Sequence, residues 1–371
     1  MIPVSERYAK VRMATLTHRS DGLTLAPWKR KRFLILIAVM AAISASIGCW
    51  VGFEWHCLQR ELEAAAILSD EYGAALITGP YQTGGGGIDD DPHFDTREIW
   101  RGRLYVPVES VFIAGAPLDQ RAWGCLASFR HLRFLKIQDC QFAPGLNGRF
   151  SEFRRLIQLD ISETPLTMAD VRSVAALRQL YDLTLWNTGG TDEWLEVLAS
   201  MHGLRFLHVP EGDYSDVGVA HLAWLSQLED LCVSESRITS RSGATFARLT
   251  ALKRLILRNT SVDDDCLLQV AGLPALETLD LVGTEVTDAG MLHLTNLQRL
   301  EYLYLADTRI TDIGVGYLSR LGSLVGIVLN GTRVTVDSLD ILANLPHLNR
   351  SRVGAYDTQI SEAQFKQWQT Q

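Results

Sequence analysis

The chain has 371 residues, 47% of them hydrophobic, with a formal net charge of −8 and six cysteines. Its apolar content excludes an intrinsically disordered chain, and its acidic balance makes it a poor nucleic-acid binder, because phosphate neutralisation dominates that affinity. Cys49, Cys57, Cys125, Cys140, Cys232 and Cys266 form no C-x-x-C pair and fit no zinc spacing, so no metal centre is expected.

In chain order, residues 1–32 are a basic tail with eight Lys/Arg against Glu6 and Asp21, leaving the remainder strongly acidic. Phe33 to Phe53 is an uncharged run, FLILIAVMAAISASIGCWVGF, preceded by Lys29-Arg30-Lys31-Arg32. Its 21 residues suffice to cross a bilayer as a helix, and Trp50 and Trp55 stand where an interfacial aromatic belt would be. The pattern predicts a single-pass membrane anchor with the N-terminus cytoplasmic and the rest outside the cytoplasm. A cleaved signal peptide, a lipidated Cys49 and a buried core helix are the competing readings; the long lead and the basic flank count against the first and last.

Residues 54–107 are expected to form an N-terminal capping region. Leu58, Leu62, Ala65 and Ala66 keep a helical period, Gly73 reads as a helix stop, and Ala74–Thr78 reads as a strand. A Gly/Asp loop follows. Gly84–Gly87 lacks the Gly-Lys-Ser/Thr of a phosphate loop, and Asp89–Asp91 lacks the alternating ligands of a calcium loop, so both read as surface loop.

From 108 onward the chain is periodic. Leu or Val recurs every 24 residues at 108, 132, 156, 180, 204, 228, 252, 276, 300, 324 and 348. Apolar residues three and five places after each start complete L-x-x-L-x-L, as at Leu276, Leu279 and Leu281. Thr stands eight places after the start in six units, an apolar residue follows two places later, then a Thr-Asp pair such as Thr287-Asp288. Apolar residues at 15, 18 and 21 after the start, such as Met291, Leu294 and Leu297, mark one buried helical stripe. Each unit is thus a half-buried strand, a turn held by a Thr hydroxyl, and a short helix capped by Thr-Asp.

The fold class expected is an α/β solenoid: a leucine-rich-repeat horseshoe with a parallel concave sheet and short convex helical segments. Strands about 4.8 Å apart beside helices that need roughly 8–10 Å force the curvature. Ten repeats occupy 108–347, and 348–371 forms a worn C-terminal cap. The units at 132 and 204 depart most, with DCQFAPGLN and PEGDYSD where the Thr turn should be. A Cys125–Cys140 bridge between neighbouring units is conceivable in an oxidising compartment.

The motif T-x-[IV]-T-D-x-G, at Thr284–Gly290 and Thr308–Gly314, resembles that of bacterial leucine-rich-repeat proteins abundant in planctomycetes, with the likeness covering residues 28–371. Many of those begin with a basic stretch and a single apolar segment, and they share no common characterised activity. Eukaryotic F-box adaptors have a similar repeat style, but no F-box precedes the repeats here.

No H-E-x-x-H helix and no G-x-S-x-G elbow occurs, so no catalytic residue and no cofactor is expected. Function then rests on strand residues that alternate with the buried ones and face solvent. These are Phe112, Phe134, Lys136, Asp160, Trp186, Phe206, His208, Arg254, Arg258, Asp280, Tyr302 and Tyr304. Two groups stand out: Phe112, Phe134, Lys136, Trp186, Phe206 and His208, and later Tyr302 with Tyr304. Exposed aromatics interleaved with charge are typical interface anchors, although such rings also stabilise a sheet by stacking. The expectation is a membrane-anchored, non-enzymatic module that binds a protein or peptide. Cell-surface glycan binding and a structural envelope role are the alternatives.

Overall fold

A computed structural model describes residues 54, 56–78 and 108–370. The chain divides into two compact units, Met1–Arg60 and Glu61–Gln371. In the first, the described residues are helical. The second opens with helical residues 61–72, closed by Gly73 in a left-handed conformation. Strand β1 (Ala75–Thr78) then pairs antiparallel with β2 (Val108–Ala114).

From β2 on, each unit adds one parallel strand to a single sheet, in the order β2, β4 (Phe134–Gln138), β6 (Gln158–Ser162), β7 (Asp182–Trp186), β8 (Phe206–His208) and β9 (Asp230–Cys232). It continues through β10 (Arg254–Ile256), β11 (Thr278–Asp280), β12 (Tyr302–Tyr304), β13 (Gly326–Val328) and β14 (Val353–Gly354). The register advances by the repeat: Leu255 pairs with Leu279, and Leu279 with Leu303. Two short segments, β3 (Pro117–Leu118) and β5 (Gln141–Phe142), form a separate pair beside the first units.

The apolar positions of the repeat meet behind the sheet as one continuous core. Leu276, Leu279, Leu281, Val286, Met291 and Leu294 are all fully buried. Each such leucine contributes about 1.5–3 kcal/mol by leaving water, and no unit could hide them alone.

The turn after each strand uses a left-handed residue seven places after the unit start: Gly115, Asp139, Glu163, Asn187, Glu211, Glu235, Asn259, Gly283, Asp307 and Gly331. In the later units the Thr that follows folds back, its hydroxyl donating to the carbonyl three residues earlier: Thr260 to Leu257, Thr284 to Leu281, Thr308 to Leu305 and Thr332 to Leu329. Thr164 and Cys140 bond one residue closer, the hydroxyl donating to the Ser162 carbonyl and the thiol to the Gln138 carbonyl.

The Thr-Asp pair divides its labour. Thr287, Thr311 and Thr335 are the N-caps of their helices. Where an Asp follows the cap, it turns the other way, to the next unit. Asp264 accepts from the Thr287 N–H at 2.8 Å and its hydroxyl at 2.6 Å, and Asp288 makes the same two bonds to Thr311. Asp192 holds Ser215, Asp216 holds Thr239 and Ser242, and Asp312 holds Thr335 and Ser338. One rung is reversed: Ser240 stands where the Asp should be, and its hydroxyl donates to Asp263 in the following unit.

This ladder explains the last letter of the motif. A Cβ on Gly218, Gly290 or Gly314 would collide with the Asp carboxylate of the preceding unit. Ser242 and Ser338 take that position by bonding to the carboxylate, and Cys266 takes it where the preceding unit offers Ser240.

The unit at 204 departs from the motif because one large side chain fills it. Tyr214 is 1% exposed in the place of the usual Val or Ile, and its ring occupies the space that side chains on Gly190 and Gly212 would need. In the final unit the left-handed Asp357 and the Thr358 bond to the Ala355 carbonyl come two residues late, after a 3-10 turn at Arg350–Arg352. The helix Glu362–Thr370 closes it, with Trp368 Nε1 donating to the Leu339 carbonyl.

Two expectations are corrected. Among the described residues no helix is long and apolar enough to cross a membrane, which overturns the membrane placement with extracytoplasmic repeats. Helical residues 56–72 carry Arg60, Glu61, Glu63, Asp70 and Glu71, charges that a bilayer interior penalises. The apolar run 33–53 lies outside the described residues, as do the loops at 84–87 and 89–91. Cys125 and Cys140 are free thiols, not a bridge.

Candidate functional site

The outward face of the sheet carries two parallel rows of strand side chains. One row runs Ser110, Phe134, Gln158, Asp182, Phe206, Asp230, Arg254, Thr278 and Tyr302. The next runs Phe112, Lys136, Asp160, Thr184, His208, Cys232, Ile256, Asp280 and Tyr304. These rows hold ten of the twelve expected residues, while Trp186 at the end of β7 and Arg258 beyond β10 stand two places farther on; the early aromatics are not one patch. Phe134 and Phe206 are three strands apart, about 14 Å, with Gln158 and Asp182 between them.

What forms instead is a chain of small polar clusters. Lys136 Nζ sits 5.6 Å over the Phe112 ring and 3.4 Å from Asp160 Oδ2. Ser162 donates to the other oxygen of Asp160 at 2.6 Å. Trp186 at the end of β7 donates from Nε1 to Glu211 Oε1 at 2.7 Å, while its ring remains 39% exposed. Phe206 meets Tyr181 edge-on at 6.2 Å.

Asp230 is buried and bridges two side chains, with His208 Nε2 at 3.0 Å from Oδ1 and the Arg254 guanidinium Nη1 at 3.0 Å from Oδ2. Asp182, two strands away in the same row, was not singled out by sequence. Burial pushes its carboxyl up to about 6, the charge of His208 opposes the rise, and the carboxylates of Asp160 and Asp230 add to it.

Farther along, Asp280 is a correction: read as solvent-facing, it is 3% exposed. The Arg258 guanidinium lies across it, Nε to Oδ2 at 2.5 Å, and also stands 6.0 Å over the Tyr304 ring. Burial raises the Asp280 carboxyl, and Arg258 pulls it back. Tyr302 contacts Arg352, whose guanidinium stands 5.4 Å over its ring. Gly326 lies between them, and any Cβ there would press on both. Tyr302 and Tyr304 are therefore brought to different arginines despite sharing a strand.

Chemically the face offers hydrogen bonds, ion pairs and π surfaces. The thiol in register with His208, Cys232, is buried; burial raises its pKa against the opposing pull of the Ser234 hydrogen bonds, so it is poorly nucleophilic. Among the described residues no group of His, Cys, Asp and Glu is placed to hold a metal ion.

No known family model matches the chain, and none of the curated proteins does. Solved structures do. Internalin InlF of Listeria monocytogenes is 19% identical with a TM-score of 0.53, over 71% of this chain and 84% of that chain. Internalin C2 of the same organism is 21% identical, TM-score 0.38, over 60% of this chain and 81% of that one. The leucine-rich-repeat ectodomain of the Arabidopsis thaliana membrane receptor kinase GASSHO1/SCHENGEN3, solved in complex with CASPARIAN STRIP INTEGRITY FACTOR 2, is 15% identical, TM-score 0.43, over 68% of this chain and 36% of that one. Identities this low speak to the fold alone, and with the single ladder of parallel strands and short helices they make this chain a leucine-rich-repeat solenoid.

Proposed function

We propose that the chain is a non-enzymatic binding module that takes a protein or peptide on the outward face of its sheet. The observation carrying this reading is the composition of that face. Trp186, Phe206, Tyr302, Tyr304, Arg254 and Arg258 stand half-buried or exposed on a rigid array of parallel strands. Trp, Tyr and Arg dominate binding energy at interfaces because they cover large areas with few rotors. Backbone ladders hold these side chains at fixed spacing, so little ordering entropy is lost on binding.

The test is selection of displayed random peptides on the full chain, followed by affinity measurement with Trp186→Ala/Phe206→Ala. The expected result is a set of binders whose Kd rises at least about tenfold in the double variant, equivalent to about 1.4 kcal/mol. Recovery of no specific peptide, or binders indifferent to both this variant and Arg254→Ala/Tyr302→Ala, would overturn the proposal. Binding of glycans with no peptide bound would favour the sugar-recognition alternative over it.

A further inference from the structure

The turns that lead into the strands form an edge beside the sheet, and the charge along this edge is uneven. Arg or His stands 22 places after the start in four consecutive units, at Arg130, Arg154, Arg178 and His202. The later units place Ser226, Thr250, Pro274, Gln298, Gly322 and Pro346 there. Arg133 and Arg155 add to the same early turns. In a chain of net charge −8, these guanidinium groups make a local field opposite in sign to that of the whole.

Backbone bonds set the spacing. The residue after each unit start joins its neighbours in a ladder. The Ile157 N–H donates to the Arg133 carbonyl at 2.9 Å, Tyr181 to Ile157 at 3.0 Å, and Arg205 to Tyr181 at 2.8 Å. Arg133 and Arg205 are thus three steps apart, about 14 Å. Between them Ile157 and Tyr181 are half-buried, which gives the row an apolar middle. Arg155 Nη1 donates to the Arg130 carbonyl at 3.0 Å, which holds one guanidinium against the preceding turn.

The ends of this stretch are neutralised and its middle is not. Glu61 takes Arg130 at one end, and Glu229 takes Arg205 and Lys253 at the other. Farther on, Glu277 takes Arg299. Among the described residues, Arg133, Arg154, Arg155 and Arg178 have no carboxylate partner, and all four are exposed. Glu109 is the one acid in the row of Arg133 among the first four units, and no ion pair joins the two. Internal pairing accounts for the charges of the later edge and leaves these four unexplained.

We propose that this edge, from Arg133 to Arg178, binds an extended protein segment in which acidic residues alternate with apolar ones. Carboxylates of the segment meet the four arginines, and its apolar side chains cover Ile157 and Tyr181. An extended chain advances about 3.3 Å per residue, so about four or five residues span the row. The guanidinium fork takes a carboxylate through two parallel bonds. The apolar middle favours a peptide over a uniformly charged polyanion. This surface is separate from the outward face of the sheet, so its failure leaves the reading of that face unchanged.

The experiment uses the full chain and labelled octapeptides that alternate Glu with Tyr, Glu with Gly, or Gln with Tyr, with binding read by fluorescence anisotropy. The Glu/Tyr peptide is expected to bind, the Glu/Gly peptide more weakly, and the Gln/Tyr peptide not at all. Arg154→Gln/Arg178→Gln and, separately, Arg133→Gln/Arg155→Gln are each expected to raise the Kd for the Glu/Tyr peptide about fivefold or more. Salt at about 1 M is expected to weaken binding in the same way. Arg299→Gln removes a paired arginine from the later edge and is expected to leave the Kd unchanged. Thermal melts check that each variant folds. Arg154 and Arg178 are exposed and without a carboxylate partner among the described residues, so their variant should melt with the parent chain. Equal binding of the Gln/Tyr peptide, no binding of the Glu/Tyr peptide, an affinity indifferent to both double variants, or an equal loss in Arg299→Gln overturns the assignment. Tighter binding of dextran sulfate or oligothymidylate through the same arginines also overturns it, in favour of a polysaccharide or nucleic-acid partner.

Discussion

Replacing Asp288 with Ala removes one rung of the ladder between units. The carboxylate accepts from the Thr311 N–H at 2.8 Å and its hydroxyl at 2.6 Å, and both residues are half-buried. A hydrogen bond to a charged group is worth about 1.5–3 kcal/mol, and water entering the gap recovers part of two such bonds. Asp288 is also the first residue of its helix, where a negative charge adds about 0.3–1 kcal/mol. The expected loss is about 2–4 kcal/mol. The control is Asp337→Ala, an exposed first-turn acid at the next position of another unit, expected to cost only the dipole contribution of about 0.3–1 kcal/mol. Urea unfolding of the full chain measures both. Hydrogen exchange at the Thr311 amide reads the rung itself and should speed up only in Asp288→Ala. Equal losses in the two variants, with the Thr311 amide still protected, would refute the idea that Asp288 binds the units together.

Two further outcomes test the packing and the electrostatics. Gly212→Ala should cost about 1–3 kcal/mol by overpacking, because its methyl must displace the buried Tyr214 ring, and a thermal melt no lower than that of the parent chain would contradict it. Asp182→Asn should stabilise the fold at pH 7. Burial pushes the folded carboxyl up to about 6 from an ordinary aspartate value of 3.8 in the unfolded chain, so charging it weakens the fold, and the advantage of Asn should fade as pH falls from 7 towards 4. A stability difference that grows on acidification would show the sign to be wrong.

Much of this structure is legible in the 24-residue step, and what is not has definite reasons. Alternation exposes the buried leucines, and the Thr before a helical stripe is readable as a cap because both signals lie within one unit. The partner of Asp288 lies 23 residues on, so the Asp reads as part of its own cap until the units are stacked. The Gly in T-D-x-G has no meaning within its unit either; it is small because the Asp of the preceding unit reaches it. At 204 the loss of the motif looks like irregularity, whereas Tyr214 with two glycines is a substitution of one ring for several side chains. On the outward face, alternation identifies which residues point away from the core but not how deep each lies. Asp280 points outward and is nonetheless buried, because Arg258 from the turn after the neighbouring strand lies over it. The Trp186–Glu211 bond was within reach of sequence reasoning, since residues 25 apart are neighbours on adjacent strands.

The reversed rung has a consequence for how this chain can be shortened or lengthened. Deleting 252–275 would abut Ser240 on Thr287, two donors without a carboxylate. Deleting 228–251 would face Asp216 with Asp263, two carboxylates without a donor. Removing 228–275 as a block would bring Asp216 to Thr287 and Gly290, the pairing found in the regular units. The units starting at 276 and 300 are interchangeable tiles, whereas those starting at 228 and 252 are a two-part joint that is inherited, moved or lost together.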